Sequence, residues 1–342
     1  NGVQVRYFAR TEPLQRALPW FRYVSQSIGL LYAPAMAGEL ERIVPTVDIV
    51  HTHLPFVYPT LAAGRAALRH GKPLVYHQRG VFDPMRLGFR SFKKRLYLSA
   101  FELPVARRAS MLVALTEAEV ESYRGLGLEA PIRIIPNGVN VSEYDAVPDP
   151  GVLASLGIGE RDLVVLFLGR IHPIKGADRL LEAFLEIAPS MPGAKLILAG
   201  PDEFQLEAGF RARVNASGVA HRVIFPGMVE GETKTTLLGR ADLFVLPSAA
   251  EGFSMAILEA LASATAVLIS PGCYFPQVAS AGAGRVASAE VDSLSAALRD
   301  LLADRDRLRA MGLSGRRLVL ERYTWSEVAR QMMDGYEEVS AR

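Results

Sequence analysis

Short apolar runs alternate with longer amphipathic stretches along the 342 residues, the pattern of β/α units on a mostly parallel sheet. In the first half this pattern predicts strands over Val3–Phe8, Asp48–His51, Leu74–His77, Met111–Ala114 and Arg133–Ile135. Helices are predicted over Phe56–Arg69 and Phe92–Arg108. Asp145–Gly151, rich in Pro, Asp and Gly and without periodicity, reads as a linker. A second series follows, with strands at Leu163–Leu168, Lys195–Ala199, Arg222–Phe225, Asp242–Leu246 and Ala266–Ile269. Helices are predicted at Asp178–Ala188 and Met255–Ala262, and beyond Ser288 the pattern is helical to the end. The division is a first α/β domain over 1–144, a linker over 145–160, a second α/β domain over 161–323 and a terminal helical segment over 324–342.

Composition narrows the class. Half the residues are hydrophobic and 22% are charged, as in globular proteins, and the length suits two cores. A net charge of +2 makes no demand for nucleic acid. The charge is uneven, however: residues 1–150 carry +5 and residues 151–342 carry −3, which points to an anionic partner for the first half. The single cysteine, Cys273, allows no intramolecular disulfide and suits a reducing compartment. With no visible signal peptide and no apolar run near the ~20 residues that span a bilayer, a cytoplasmic location is expected.

Open parallel sheets bind ligands just past the carboxyl ends of their strands, and three clusters of the second half fall there. Leu168–Gly176 carries Gly169 for a sharp turn and two cations, Arg170 and Lys175, before a helix; that combination suits a pyrophosphate. Leu246–Ala260 places Glu251 in a loop, Ser254 as N-cap and Glu259 in the following helix. The N–H groups of Met255, Ala256 and Ile257 would face a phosphate, while the two carboxylates would hold sugar and ribose hydroxyls. Phe225–Val229 forms a turn whose backbone at Met228 or Val229 would meet the edge of a base. Each cluster alone is also compatible with an ordinary solvated loop.

Together, in this order and spacing, the clusters resemble the donor half of the retaining GT-B glycosyltransferases of family 4. The matching marks are Gly169/Arg170/Lys175/Gly176, Phe225/Gly227 and Glu251/Gly252/Phe253/Glu259. Similarity extends into the first half through Arg79–Pro84, Leu115–Glu119 and Ile135–Val139. The resemblance implies two Rossmann-like β/α/β domains facing a central cleft, with the last helix, Ser326–Val339, crossing back to the first domain and Trp325 as a packing anchor. It also implies that the family's first β/α unit is missing, Asn1–Phe8 answering to its second strand. By resemblance the reaction moves a sugar from a UDP- or GDP-linked donor to a hydroxyl of a glycan or lipid-linked precursor, with retained configuration, no metal and no cofactor. Arg170 and Lys175 would neutralise the departing pyrophosphate, Glu259 would bind ribose, and Glu251 with the Gly252–Ser254 backbone would hold the sugar. Asn137 and Gly138 would sit at the cleft, as would a first-domain residue near the reacting sugar: His77, Arg79 or His53.

Two further features bear on chemistry. No His/Cys/Asp group has metal-ligand spacing along the chain, and Asp304-Arg-Asp306 reads as a helix cap rather than a metal motif. Arg90–Arg108 is basic and amphipathic, which favours an anionic membrane surface at the inner face or, more simply, a helix seated on the sheet. A sugar-nucleotide 2-epimerase of the same fold and an inactive nucleotide-binding paralogue are the alternatives. A dehydrogenase is disfavoured because no G-x-G-x-x-G follows any strand.

Overall fold

A computed structural model of the chain describes residues 3–8, 33–83 and 91–341. Two compact units emerge: unit 1 comprises Asn1–Pro136 with Arg330–Arg342, and unit 2 is Asn137–Ala329.

Unit 1 holds a parallel sheet of β1 (Val50–His53), β2 (Leu74–His77), β3 (Met111–Ala114) and β4 (Ile132–Ile134), in that spatial order. Every residue of β2 and β3 is buried, which explains their unbroken apolar runs: a strand with both faces covered has no polar alternation. The helix Tyr58–Arg69 follows β1, and Thr60 fastens its start by donating its hydroxyl to the carbonyls of His53 and Leu54 at 2.5 and 2.7 Å. The predicted strand Val3–Phe8 is a correction. Residues 3–8 adopt no regular structure, and Val3, Val5 and Tyr7 are exposed, because alternation makes a strand only where a neighbour pairs with its backbone.

The predicted helix over 92–108 is broken into Ser91–Tyr97, a wide π turn at Leu98–Glu102 and Leu103–Ala106. The turn carries a wholly buried carboxylate, Glu102, which accepts from the Phe56 N–H at 2.9 Å and the Tyr76 hydroxyl at 2.8 Å. A π turn rotates the helix face, and π turns commonly accompany such special side-chain placements. Arg90 and Pro84 lie outside the described residues.

In unit 2 the strands β5 (Leu163–Leu168), β6 (Ala194–Ala199), β7 (Val223–Gly227), β8 (Leu243–Leu246), β9 (Ala266–Ile269) and β10 (Gly284–Val286) form one parallel sheet. Its order is β10-β9-β8-β5-β6-β7. Strand β10 has no counterpart among the predicted strands; at three residues, none fully buried, it lacks an apolar run. The helix Ala177–Ile187 buries Leu180, Leu181, Ala183, Phe184 and Ile187, the stripe expected of a helix lying on a sheet. Residues 145–160 include a short helix, Pro150–Ser155, capped by the Asp149 carboxylate. After β10 come Val291–Leu302, Arg305–Arg322 and Trp325–Ser340; Asp304 caps the second of these by accepting from the Arg307 N–H at 2.9 Å. No helix among the described residues is long and apolar enough to cross a membrane.

Candidate active site

Strand β5 lies between β6 and β8, so the chain leaves β5 in one direction and returns on the other side. That reversal opens a crevice at the carboxyl ends of β5 and β8, the place where such sheets take ligands. Two loops line it. After β5, His172 accepts the Ile174 N–H at 3.0 Å and starts a tight turn, Pro173–Lys175. Gly176 ends that turn with a φ of +74°, and a Cβ there would stand 2.4 Å from the Pro247 carbonyl oxygen. The two loops are tied together: the Ala249 N–H and the Ser248 hydroxyl both donate to the Ile174 carbonyl, at 2.7 and 3.0 Å.

This backbone brings side chains of opposite charge together. The Lys175 ammonium contacts both oxygens of Glu251, at 2.6 and 2.8 Å. Glu251 is 6% exposed and its N–H donates to the Gly272 carbonyl at 2.8 Å. Glu259 accepts from Lys234 at 3.0 Å, and Arg170 pairs with Glu203 at 2.8 Å. The neighbouring His172 imidazole is held below its ordinary pKa by burial and by the Arg170 charge. The predicted cations and carboxylates therefore occur as three ion pairs, and the partners Glu203 and Lys234 were not legible in the motifs. Both sit in helix or loop segments without a motif of their own.

The helix Met255–Ala262 starts from Ser254, whose carbonyl accepts the Leu258 N–H at 3.4 Å. The expected cap is corrected in part: Ser254 occupies the N-cap position, but its side chain makes no capping hydrogen bond. Met255, Ala256 and Ile257 precede the first intrahelical bond, so helix geometry gives their N–H groups no carbonyl within the helix. Gly252 leads into Phe253, whose ring lies 5.6 Å from that of Phe275 and 6.1 Å from that of Tyr323. At the edge of the sheet β7 runs two residues further than predicted, so Phe225, Pro226 and Gly227 are strand rather than turn. Gly227 accepts the Gly200 N–H at 2.8 Å; Met228, just beyond, is 65% exposed, and Val229 is half-buried. Gly169 donates its N–H to the Ala199 carbonyl at 2.9 Å and so keeps the first loop in line with β6. Asn137 and Gly138 begin unit 2, and Gly138 lies so close beneath half-exposed Trp325 that a Cβ would fall 2.8 Å from its backbone nitrogen.

In unit 1, His51, His53 and His77 gather at the carboxyl end of β1 and β2. His53 pairs with His77 in register, and His51 lies two residues earlier, so the pleat sends all three to one face. Burial, reinforced by the Arg79 charge, lowers the pKa of His77 to about 2 and of His53 to about 4. That of His51 falls to about 3, through burial, then His53 and Arg79. Arg79 has a φ of +54° and donates Nε–H to His53 Nδ1 at 3.3 Å. The reading that no histidine group has ligand spacing is thereby corrected: one nitrogen from each ring lies within 4.8 Å of the others. Spacing along the chain misses ligands supplied by two paired strands.

The basic segment after residue 90 buries Leu98, Leu103, Val105 and Ala106, as a helix on a sheet should. Phe92, Leu96 and Phe101 are exposed instead, at 79%, 62% and 42%. Exposed arginines Arg95, Arg107 and Arg108 belong to the same segment, and Arg65 stands over the Phe101 ring at 5.7 Å.

Two parallel-sheet α/β units, one with paired cations and carboxylates at its switch point, define the GT-B class of transferase fold. The family described as Glycosyl transferases group 1 matches residues 152–318, and Glycosyltransferase Family 4 matches residues 1–143. The chain is 30% identical to a GDP-mannose-dependent alpha-(1-6)-phosphatidylinositol monomannoside mannosyltransferase of Mycolicibacterium smegmatis, over 86% of this chain and 78% of that one. It is 28% identical to the alpha-maltose-1-phosphate synthase of the same organism, over 86% of this chain and 79% of the relative. The crystal structure of Anabaena HepE in complex with UDP and glucose shares the fold, with a TM-score of 0.73 at 20% identity, over 90% of this chain and 82% of that chain. The protein belongs to the group 1, family 4 glycosyltransferases.

Proposed function

We propose that the protein transfers a hexose from a nucleoside-diphosphate sugar to a hydroxyl of a glycan or lipid-linked acceptor, with retained configuration and no metal or cofactor at the donor pyrophosphate. The observation that carries this reading is the contact of part-buried Lys175 with buried Glu251 beside the start of the helix Met255–Ala262. An arriving pyrophosphate competes for the ammonium and is met by the helix N–H groups, while Glu251 turns to accept from sugar hydroxyls. Glu259, paired with Lys234, binds the ribose in this reading, and the Met228–Val229 backbone meets the base. As the donor bond breaks, charge grows on the leaving phosphate; Lys175 and Arg170 stabilise it, and that phosphate accepts the acceptor's proton on the same face. Catalysis is then positioning and charge stabilisation, which needs no nucleophilic side chain.

The mannosyltransferase relative makes GDP-mannose the first donor to test and a phosphoinositide-type lipid the first acceptor, with UDP-sugars as the second set. A thermal-shift screen of nucleotide sugars, followed by a transfer assay, tests the reading, since a ligand of the folded state raises the melting point. Stabilisation by a donor sugar and appearance of an α-linked product are expected. Release of an epimerised sugar, or binding without turnover, would replace it with the epimerase or the inactive paralogue.

The exposed Phe92, Leu96 and Phe101 among arginines support a peripheral seat on an anionic bilayer for a cytoplasmic enzyme. Sedimentation with vesicles should then show binding to anionic but not zwitterionic lipid, and loss of that binding in Phe92→Ser/Leu96→Ser.

A further inference from the structure

Strand β6 lies between β5 and β7, so the loop that follows it, over residues 201–206, stands between the Lys175 turn and the end of β7. A strand spacing of about 4.8 Å sets the ends of β5 and β7 roughly 10 Å apart, with this loop in the gap. The loop is fastened on every side. Gly200 enters it with a φ of +144°, so close to the first loop that a Cβ would collide with the Gly169 carbonyl. The Ile171 N–H donates to the Pro201 carbonyl at 2.9 Å, and the Asp202 carboxylate accepts the N–H groups of Leu206 and Glu207, both at 2.9 Å. Glu203 is held by Arg170. Gln205 has a φ of +56°, a left-handed conformation that costs a residue with a side chain about 1–3 kcal/mol.

This framework presents an aromatic ring. Phe204 is 54% exposed, and the His172 ring stands edge-on to it, with centroids 4.5 Å apart and planes at 79°. His172 is itself fixed by accepting the Ile174 N–H, so it braces Phe204 while over half of that side chain stays open. A lone exposed apolar residue is ordinary on a protein surface. One mounted on a strained, cross-braced loop at the ligand-binding edge of a parallel sheet is a contact surface.

We propose that Phe204 is the platform on which the nucleobase of the donor stacks. The assignment rests on the donor placement proposed above, in which the Met228–Val229 backbone meets the edge of the base. An edge contact fixes the base in its own plane and leaves both faces uncovered; Phe204, from the end of the neighbouring strand, covers one of them. Every base has a π face, so the platform adds affinity without choosing between guanine and uracil. The choice is left to the edge contacts after β7.

The test is calorimetric titration of the full chain with GDP, UDP and inorganic pyrophosphate. Phe204→Ala should weaken the tighter-binding nucleotide at least about fivefold, the usual loss when an aromatic partner of a base is removed, and leave pyrophosphate binding unchanged. Phe204→Tyr should bind as the wild type does. Phe204→Trp should also bind, with a fluorescence change on adding nucleotide that pyrophosphate does not cause and the wild type does not show. Unchanged nucleotide affinity in Phe204→Ala, equal weakening of nucleotide and pyrophosphate, or a silent tryptophan in Phe204→Trp would each overturn the platform and leave the donor site standing. Failure of the wild type to bind either nucleotide would instead overturn the donor placement, and the platform with it.

Discussion

Lys175 and Glu251 each stabilise a charge that the other would otherwise leave in a poorly solvated place. Breaking a fully buried pair by removing one partner typically costs about 3–5 kcal/mol, whereas replacing both is far milder; with Lys175 only part-buried, the loss here should be smaller than that. Lys175→Ala should therefore lose stability as well as lower kcat by about 10²–10³-fold. Lys175→Ala/Glu251→Gln should regain most of the stability in urea unfolding while remaining inactive; recovered activity would remove Lys175 from the chemistry. The three histidines give a pH prediction. Their folded pKa values of about 2, 3 and 4 lie below the ordinary 6.5, so on acidification the unfolded chain takes up protons first. Stability then falls as pH drops from about 6.5 toward 4, in the sense opposite to a histidine that gains a carboxylate partner. Urea unfolding in a chelating buffer at pH 7 and pH 5 checks this, and His77→Gln should flatten the difference. The charged residues of the crevice were legible in the sequence because their clusters are contiguous and follow the buried strands β5 and β8. Glu203, Lys234 and the histidine face were not, because their partners come from segments far along the chain.

At the scale of elements, the loops around the crevice depend on conformations that few residues adopt. Gly176→Ala adds a positive-φ penalty and a contact at 2.4 Å with backbone that cannot yield. It should destabilise unit 2 by more than about 1 kcal/mol and weaken nucleotide-sugar binding, both measurable by thermal shift with and without donor. Reading elements from the chain worked best where both faces of a strand are covered, as in β2, β3, β5, β8 and β9, whose apolar runs match the observed strands within a residue. It worked least well where pairing rather than pattern decides. Val3–Phe8 has the alternation but no strand, and Gly284–Val286 has the strand but no pattern. The π turn at Leu98–Glu102 was also illegible, since nothing local marks Glu102 as a buried acceptor of three separate donors.

At the scale of the molecule, unit 1 is assembled from two stretches of chain. The later one is fastened by the His51–Tyr336 contact, by the Arg133–Glu338 ion pair at 2.8 Å, and by packing close enough that a Cβ on Gly335 would lie 3.0 Å from the Met111 Cε. Deleting residues 330–342 should raise amide exchange throughout β1–β4 while leaving β5–β10 protected, as read by hydrogen exchange with mass spectrometry. Equal loss in both sheets would mean that the segment serves unit 2 as well. The discontinuity also sets an order in time. On the ribosome Asn137–Ala329 can close around its own sheet as soon as it emerges, while the earlier-made segment waits for Arg330–Arg342, which is translated after both. During that interval its four-stranded sheet, still lacking the helical segment that packs on it, is a natural client for chaperones.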